Sequence, residues 1–212
     1  MAGVGPFSIP AAKNIGCKVW ANDLNPASYS SLLDNIKSNK VQKSVFPFNL
    51  DGRTFIRQSF ENLLKNENRT FDHVVMNLPA TALEFLDAFI GVYNDFESTI
   101  LDSVVSDSAL NKAFLTSRNA SSNKDPENKD QKTALSLKLP VIHVHCFSKS
   151  ETPRDDILSR AVSYLNLPES ICKEFGESAK LHYVRSVAPN KDMYCLSFEL
   201  PLETALCKSK KR

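Results

Sequence analysis

Apolar residues recur along this chain at two different spacings, and the alternation between them sets out its elements. Cys17 to Asn22 (CKVWAN) is a short strand-type run closed by Asp23, after which Asn25-Pro26 offers an N-cap and a first-turn proline. Tyr29, Leu32, Leu33 and Ile36 then fall at i, i+3, i+4 and i+7, one apolar helix face. The cycle repeats: Ser44 to Phe48 is strand-like and ends at Asp51-Gly52, Phe55 to Leu64 is helical, and Phe71 to Met76 is a buried-strand run stopped by Asn77-Leu78-Pro79. A helix from about Thr81 carries Leu83, Leu86, Phe89, Ile90 and Tyr93. Pro140 to Phe147 is a further strand, followed by a helix from about Arg154 to Leu165. Lys180 to Val187 and Met193 to Leu200 are strands joined by the hairpin-type loop 188–192. Strands alternating with helices imply an α/β fold with a parallel sheet covered on both faces.

Two stretches depart from the alternation. Ahead of the first strand, Met1 to Phe7 is a glycine-rich turn, and Ser8 to Ile15 predicts a short helix with Pro10 in its first turn or at a kink. From about 102 to 132 the pattern dissolves, and Ser117 to Lys132 holds no apolar residue larger than alanine apart from the proline, which predicts a solvated, mobile insertion in one domain spanning 1–207. Residues 208–212 form a basic tail.

Composition narrows the reading without deciding it. The 26 Lys and Arg residues nearly balance 24 Asp and Glu, so bulk charge does not predict nucleic-acid binding and any RNA contact must come from a local patch. The five cysteines, Cys17, Cys146, Cys172, Cys195 and Cys207, form no C-x-x-C pair, which points to a reducing, intracellular setting rather than a disulfide framework. No run approaches the roughly 20 apolar residues of a membrane span, and the first residues have neither the basic character of a secretory signal nor the Arg-rich character of a transit peptide.

In an open parallel sheet, ligands bind beyond the carboxyl ends of the strands. Asp23, Asp51 and Asn77 all fall at such ends, after the turn Gly3-Val4-Gly5. The third glycine of the dinucleotide fingerprint is replaced by Ser8, which argues against a dinucleotide. Asp23 stands where a carboxylate accepts ribose hydroxyls, or else where it stabilises a helix N-terminus. Asp51 lies by position near an adenine edge, or forms a turn beside Gly52. Asn77, held extended by the nearby proline, either presents its amide to the rim of a planar heterocycle or simply ends its strand. His143 and His145 share a strand face but lack a third ligand, so no metal is expected. Phe46, Phe48, Phe71, Phe85 and Phe89 read as core.

These residues resemble the tRNA (guanine-37-N1)-methyltransferase family of eukaryotes and archaea. The stretches that carry the resemblance are AGVGPFSIP (2–10), VWANDLNP (19–26), NIKSNKV (35–41), NLDGRTF (49–55), HVVMNLPATALEFLDAF (73–89), IHVHCFSK (142–149) and VRSVAPNKDMYCLSF (184–198). It implies a class I, Rossmann-like methyltransferase sheet with the C-terminal strand pair as its antiparallel edge. It implies S-adenosyl-L-methionine as cofactor, with Gly3 and Gly5 at its methionine end, Asp23 and Leu24 at the ribose, Asp51 and Gly52 by the adenine, and Asn77 shared between cofactor and base. Asn77 and Pro79 would frame the target guanine as catalytic residues. The implied partner is tRNA, with a monomeric protein, no membrane and no metal, in the cytoplasm, nucleus or mitochondrial matrix.

Relatives also have an aspartate-ended strand directly before AGVGPF and, further upstream, a catalytic arginine and glutamate and a tRNA-gripping domain. Met1 lies inside the motif, so the chain is expected to lack the first strand of the sheet, with unpaired edges on both neighbours, and to be inactive on its own. A catalytically inactive cofactor- or RNA-binding remnant of the same family is the alternative reading.

Overall fold

A computed structural model describes residues 1–106, 108–121, 137–189 and 191–207. The expected basic tail, the hairpin residue Asn190, and residue 107 and residues 122–132 of the expected insertion lie outside the described residues. The chain enters as a short helical segment, α1 (Ser8–Pro10), continued by a π-type turn over Ala11–Ile15 and ended by Gly16 in a left-handed conformation. Then β1 (Val19–Asn22) leads to α2 (Pro26–Ser38), capped by the Asn25 side chain, which accepts from the Ala27 N–H. Next come β2 (Val45–Phe48), α3 (Gly52–Glu67) and β3 (His73–Met76).

After β3 the expected helix is a 3-10 helix, Ala82–Phe89. Its buried Leu83, Leu86 and Phe89 recur every third residue, the period of a 3-10 turn, so the tighter winding sets all three on one face. A short 3-10 turn (Asn94–Phe96) precedes α4 (Glu97–Ser103), β4 (Val104–Val105) and α5 (Ala109–Ser121). Much of the stretch from 102 to 121 is thus ordered, contrary to the solvated insertion expected there. Its anchor is Asn111, fully buried, which donates to the Glu199 carboxylate (2.9 Å) and the Leu200 carbonyl (3.2 Å) and accepts from the Leu202 N–H (2.8 Å). After β5 (Leu137–Lys138) follow β6 (Val141–Ser148), α6 (Pro153–Leu165), α7 (Cys172–Ser178), β7 (Lys180–Ala188), β8 (Lys191–Glu199) and α8 (Leu202–Ala205).

Among the described residues the main sheet is in two pieces. One has β1 parallel to β2; the other has the order β3-β6-β8-β7, with β3 parallel to β6 and the C-terminal hairpin antiparallel at the edge. The free flanks of β1 and β3 border a cavity of about 560 Å³ lined by every residue from Lys18 to Asn22 and from Asp72 to Asn77. The expected unpaired edges on β1 and β3 thus face one another across this cavity. Two separate apolar cores follow from the division. The larger surrounds the four-stranded piece, and the smaller is built from Ile9, Ala12, Ala21, Leu32, Ile36, Val41 and Val45. Aromatic rings reach between them: Trp20 stacks on Phe46 (5.1 Å) and edge-on to Phe71 (5.2 Å), which packs on Phe60 (5.1 Å). No described helix is long and apolar enough to cross a membrane.

Candidate functional site

The carboxyl ends of β1 and β2 and the glycine turn are tied together by asparagine side chains that pattern reading did not single out. Asn22, the last residue of β1, exchanges two 2.9 Å bonds with the backbone of Leu50, joining the ends of β1 and β2. Asn49 donates to the carbonyls of Asp23 (2.7 Å) and Leu24 (3.0 Å). Asn35 on α2 donates to the Val4 carbonyl (2.9 Å) and so pins the glycine turn to the helix. The only sequence signal for these three was an amide-bearing residue at a strand end or helix face.

The turn needs its glycines for different reasons. Both have positive φ, +55° at Gly3 and +100° at Gly5. A side chain at Gly3 would project into open space, whereas a Cβ at Gly5 would lie 2.9 Å from the side chains of Ile9 and Leu32. The turn passes directly over Asp23. One carboxylate oxygen of Asp23 accepts from the Gly3 N–H (2.8 Å), with the Met1 amino group 3.2 Å away, and the other accepts from the Asn25 N–H (3.0 Å). Burial opposes ionisation of this carboxyl, but the Gly3 and Asn25 donors and the nearby ammonium outweigh it, so Asp23 titrates below its ordinary value. Asp23 therefore shapes the turn, while each oxygen keeps part of its acceptor capacity. Leu24 beside it is 65% exposed, an apolar surface with no core to cover it.

Asp51 is the N-cap of α3, with both bonds, from Arg53 N–H (3.0 Å) and Thr54 N–H (3.1 Å), falling on the same oxygen. The second oxygen takes neither of these bonds. The Thr54 bond leads the effects that hold this exposed carboxyl below its ordinary value. Gly52 is required by Phe85, whose ring would lie 2.7 Å from an added Cβ. That ring also carries the Arg53 guanidinium at 4.5 Å, and Arg53 in turn pairs with Asp87 at 2.8 Å. Of the five phenylalanines read as core, Phe89 is fully buried, and Phe46, Phe48, Phe71 and Phe85 are partly so.

At the end of β3, the Leu78 carbonyl accepts from Thr81 (2.9 Å) and Ala82 (2.8 Å), and the Pro79 carbonyl accepts from the Phe147 N–H (3.1 Å), which stitches the loop to β6. Asn77 lines the 560 Å³ cavity, and its side-chain oxygen is buried without a hydrogen-bond partner. A stranded buried acceptor costs about 1 to 3 kcal/mol, so this oxygen awaits a donor. Gly3, Gly5, Asp23, Leu24, Asp51, Gly52 and Asn77 thus share one end of the sheet, with Pro79 just beyond.

Of the strand histidines, His145 adjoins this group, its ring 5.8 Å from that of Phe7, while His73 and His143 form a separate pair. His73 and His143 are in contact (3.1 Å), and His143 also meets the Ser197 hydroxyl (2.8 Å); burial first, then its histidine neighbours, lower the pKa of His143. Among the described residues no group of three or more His, Cys, Asp or Glu converges as metal ligands do.

The sequence model of the TRM5/TYW2 methyltransferase domain matches residues 1–111, the part that carries the site residues from Gly3 to Pro79. Over 246 residues the chain is 36% identical to the tRNA (guanine(37)-N(1))-methyltransferase of Batrachochytrium dendrobatidis, covering 99% of this chain and 44% of that protein. The enzyme of the same name from Xenopus tropicalis is 41% identical over 207 residues, covering 94% and 33%. The chain thus spans a third to a half of the length of the curated relatives it matches. In fold it is similar to a putative transferase of Pyrococcus horikoshii (TM-score 0.51, 17% identity, 94% of this chain and 55% of that one). It is likewise similar to P. horikoshii TYW2 in complex with MeSAdo (TM-score 0.50, 18% identity, 93% and 53%). A two-piece sheet with an antiparallel edge, a glycine turn tied to Asp23 and a match across more than half of its residues agree: the chain belongs to the TRM5/TYW2 methyltransferase family.

Proposed function

We propose that this chain is the cofactor-binding, catalytic part of a tRNA (guanine(37)-N(1))-methyltransferase. In this reading it binds S-adenosylmethionine and directs its methyl group to N1 of guanine 37. The observation that carries the reading is the buried, partnerless side-chain oxygen of Asn77 in a cavity that Ala2, Asn22 and Gly52 also line. A guanine edge presents N–H donors to such an acceptor, and the Asn77 amide nitrogen can donate in return. The names of the relatives at 36–41% identity support the same substrate.

The residues present suit the cofactor. Gly3 and Gly5 let backbone approach its methionine end, Asp23 and Leu24 meet the ribose, and the open oxygen of Asp51 with Gly52 borders the adenine. When bound, the cofactor supplies an electrophilic methyl group on a sulfonium. Guanine N1 carries a proton that a base must remove. An amide such as that of Asn77 is no base at neutral pH, so Asn77 and Pro79 act by holding the guanine in line.

Calorimetric titration with S-adenosylmethionine and with NAD tests the cofactor, and label transfer to tRNA transcripts with guanine or adenine at position 37 tests the substrate. The sulfonium compound should bind and NAD should not, with any label confined to the guanine transcript. Binding of NAD alone, or label in the adenine transcript, overturns the proposal.

A further inference from the structure

A second cavity, of about 450 Å³, opens at the carboxyl end of β6, where Lys149, Arg160 and Lys191 meet a single carboxylate, Asp156. That carboxylate is already engaged by the Ser148 hydroxyl (2.7 Å) and by Arg160 (3.4 Å). Arg160 is fixed by a second bond to the Phe147 carbonyl (3.0 Å), and the Lys191 ammonium rests over the Phe147 ring at 4.1 Å. Two of the three cations are thus positioned by contacts that do not neutralise them fully, and Lys149 is exposed beside them. The cavity is open and of a size suited to a small ligand group. Three cations against one engaged carboxylate favour an anion there.

Its place in the sheet identifies the anion. Ala80 lines it, and the Pro79 carbonyl is bonded to the Phe147 N–H, so the cavity adjoins the Asn77–Ala80 loop. In the strand order β6 lies beyond β3 from β1, so the glycine turn, Asp23 and Asp51 fall on one side of Asn77 and the three cations on the other. A nucleotide whose base reaches Asn77 then has its backbone on the cationic side, away from the two carboxylates. We infer that this cavity is a phosphate subsite for the RNA backbone beside the target nucleotide, with Lys149 and Lys191 making the contacts and Arg160 forming the wall. The inference rests on the RNA-substrate reading above. It also explains how a nearly neutral chain holds RNA: the positive charge is local.

The test is the salt dependence of binding to a guanine-37 anticodon hairpin, followed by fluorescence anisotropy. Each phosphate contact contributes about 0.7 to 0.9 to the slope of log affinity against log salt. Lys149→Gln and Lys191→Gln should each flatten the slope by about that amount, and the double variant by about twice as much. Lys191→Arg should keep the wild-type slope, and the exposed pair Lys13→Gln with Lys43→Gln, on the β1–β2 side, should leave it unchanged. Affinity for S-adenosylmethionine should be the same in all. An unchanged slope in the double variant, an equal loss in the Lys13 and Lys43 control, or absence of RNA binding by the wild-type chain at low salt overturns the subsite. Displacement of the hairpin by inorganic phosphate beyond the effect of chloride at equal ionic strength also overturns it, because the site then takes free phosphate. Failure of the cofactor titration with the slope changes intact would instead sink the function and leave the subsite standing.

Discussion

The two site aspartates perform different structural tasks, and pH separates them from ordinary surface acids. Asp23 has a folded pKa below its unfolded value of about 3.9, so the stability it contributes is fully present above that value and is lost as pH falls through the folded pKa. Urea unfolding of wild type and Asp23→Asn should therefore differ most near neutrality and converge in acid; a constant difference would show that the turn is held by something other than the charge. The glycines offer a second test. Gly3→Ala meets only the left-handed penalty of about 1 to 2 kcal/mol, whereas Gly5→Ala also collides with Ile9 and Leu32 and should cost about 2 to 5 kcal/mol. Equal losses on denaturation would contradict the packing around Gly5. At this scale the sequence revealed residues whose partners are near in the chain, such as Asn25 at the start of α2. Asn22, Asn35 and Asn49 escaped because they bond to backbone 28, 31 and 26 residues away.

Among the elements, the period of burial was legible wherever one face is buried against the core. The alternate burial of β6 follows its sequence pattern, and on α2 Leu32 and Ile36 are buried as expected while Leu33 is exposed. The pattern was missed for α5, which docks through the buried Asn111 amide together with Leu110, Phe114 and Leu115. Asn111→Ala should leave the Leu202 N–H and the Glu199 carboxylate short of a partner and lower stability by about 3 kcal/mol. Circular dichroism during thermal melting reads this, and a loss under 1 kcal/mol would mean that α5 is held by its remaining contacts. The helix after β3 shows the opposite case. Its apolar residues were recognised, but the choice between 3-10 and α winding turned on a spacing of three that both can accommodate.

At the level of the whole molecule, the separate cores predict unequal stability. The smaller one holds β1 and β2 with seven buried side chains, so amide hydrogens in β1 and β2 should exchange through an opening well below the global unfolding free energy, while those of β6 and β8 exchange only on full unfolding. Identical protection across both pieces would show that the aromatic bridge from Trp20 to Phe60 makes them one cooperative unit. The sequence foretold the division through the family's strand order, not through anything in the residues of β1 or β3 themselves, since a strand does not encode which neighbour it lacks. A flank of unpaired N–H and C=O groups is also sticky. The facing flanks of β1 and β3 offer two templates to any extended peptide, including one from a second copy of this chain. Light scattering of the purified chain should therefore show mass rising with concentration, contrary to the monomer that the family resemblance implies. A constant monomer mass would mean that the cavity is sealed by its own side chains, and that the chain tolerates its broken sheet without becoming a seed for aggregates.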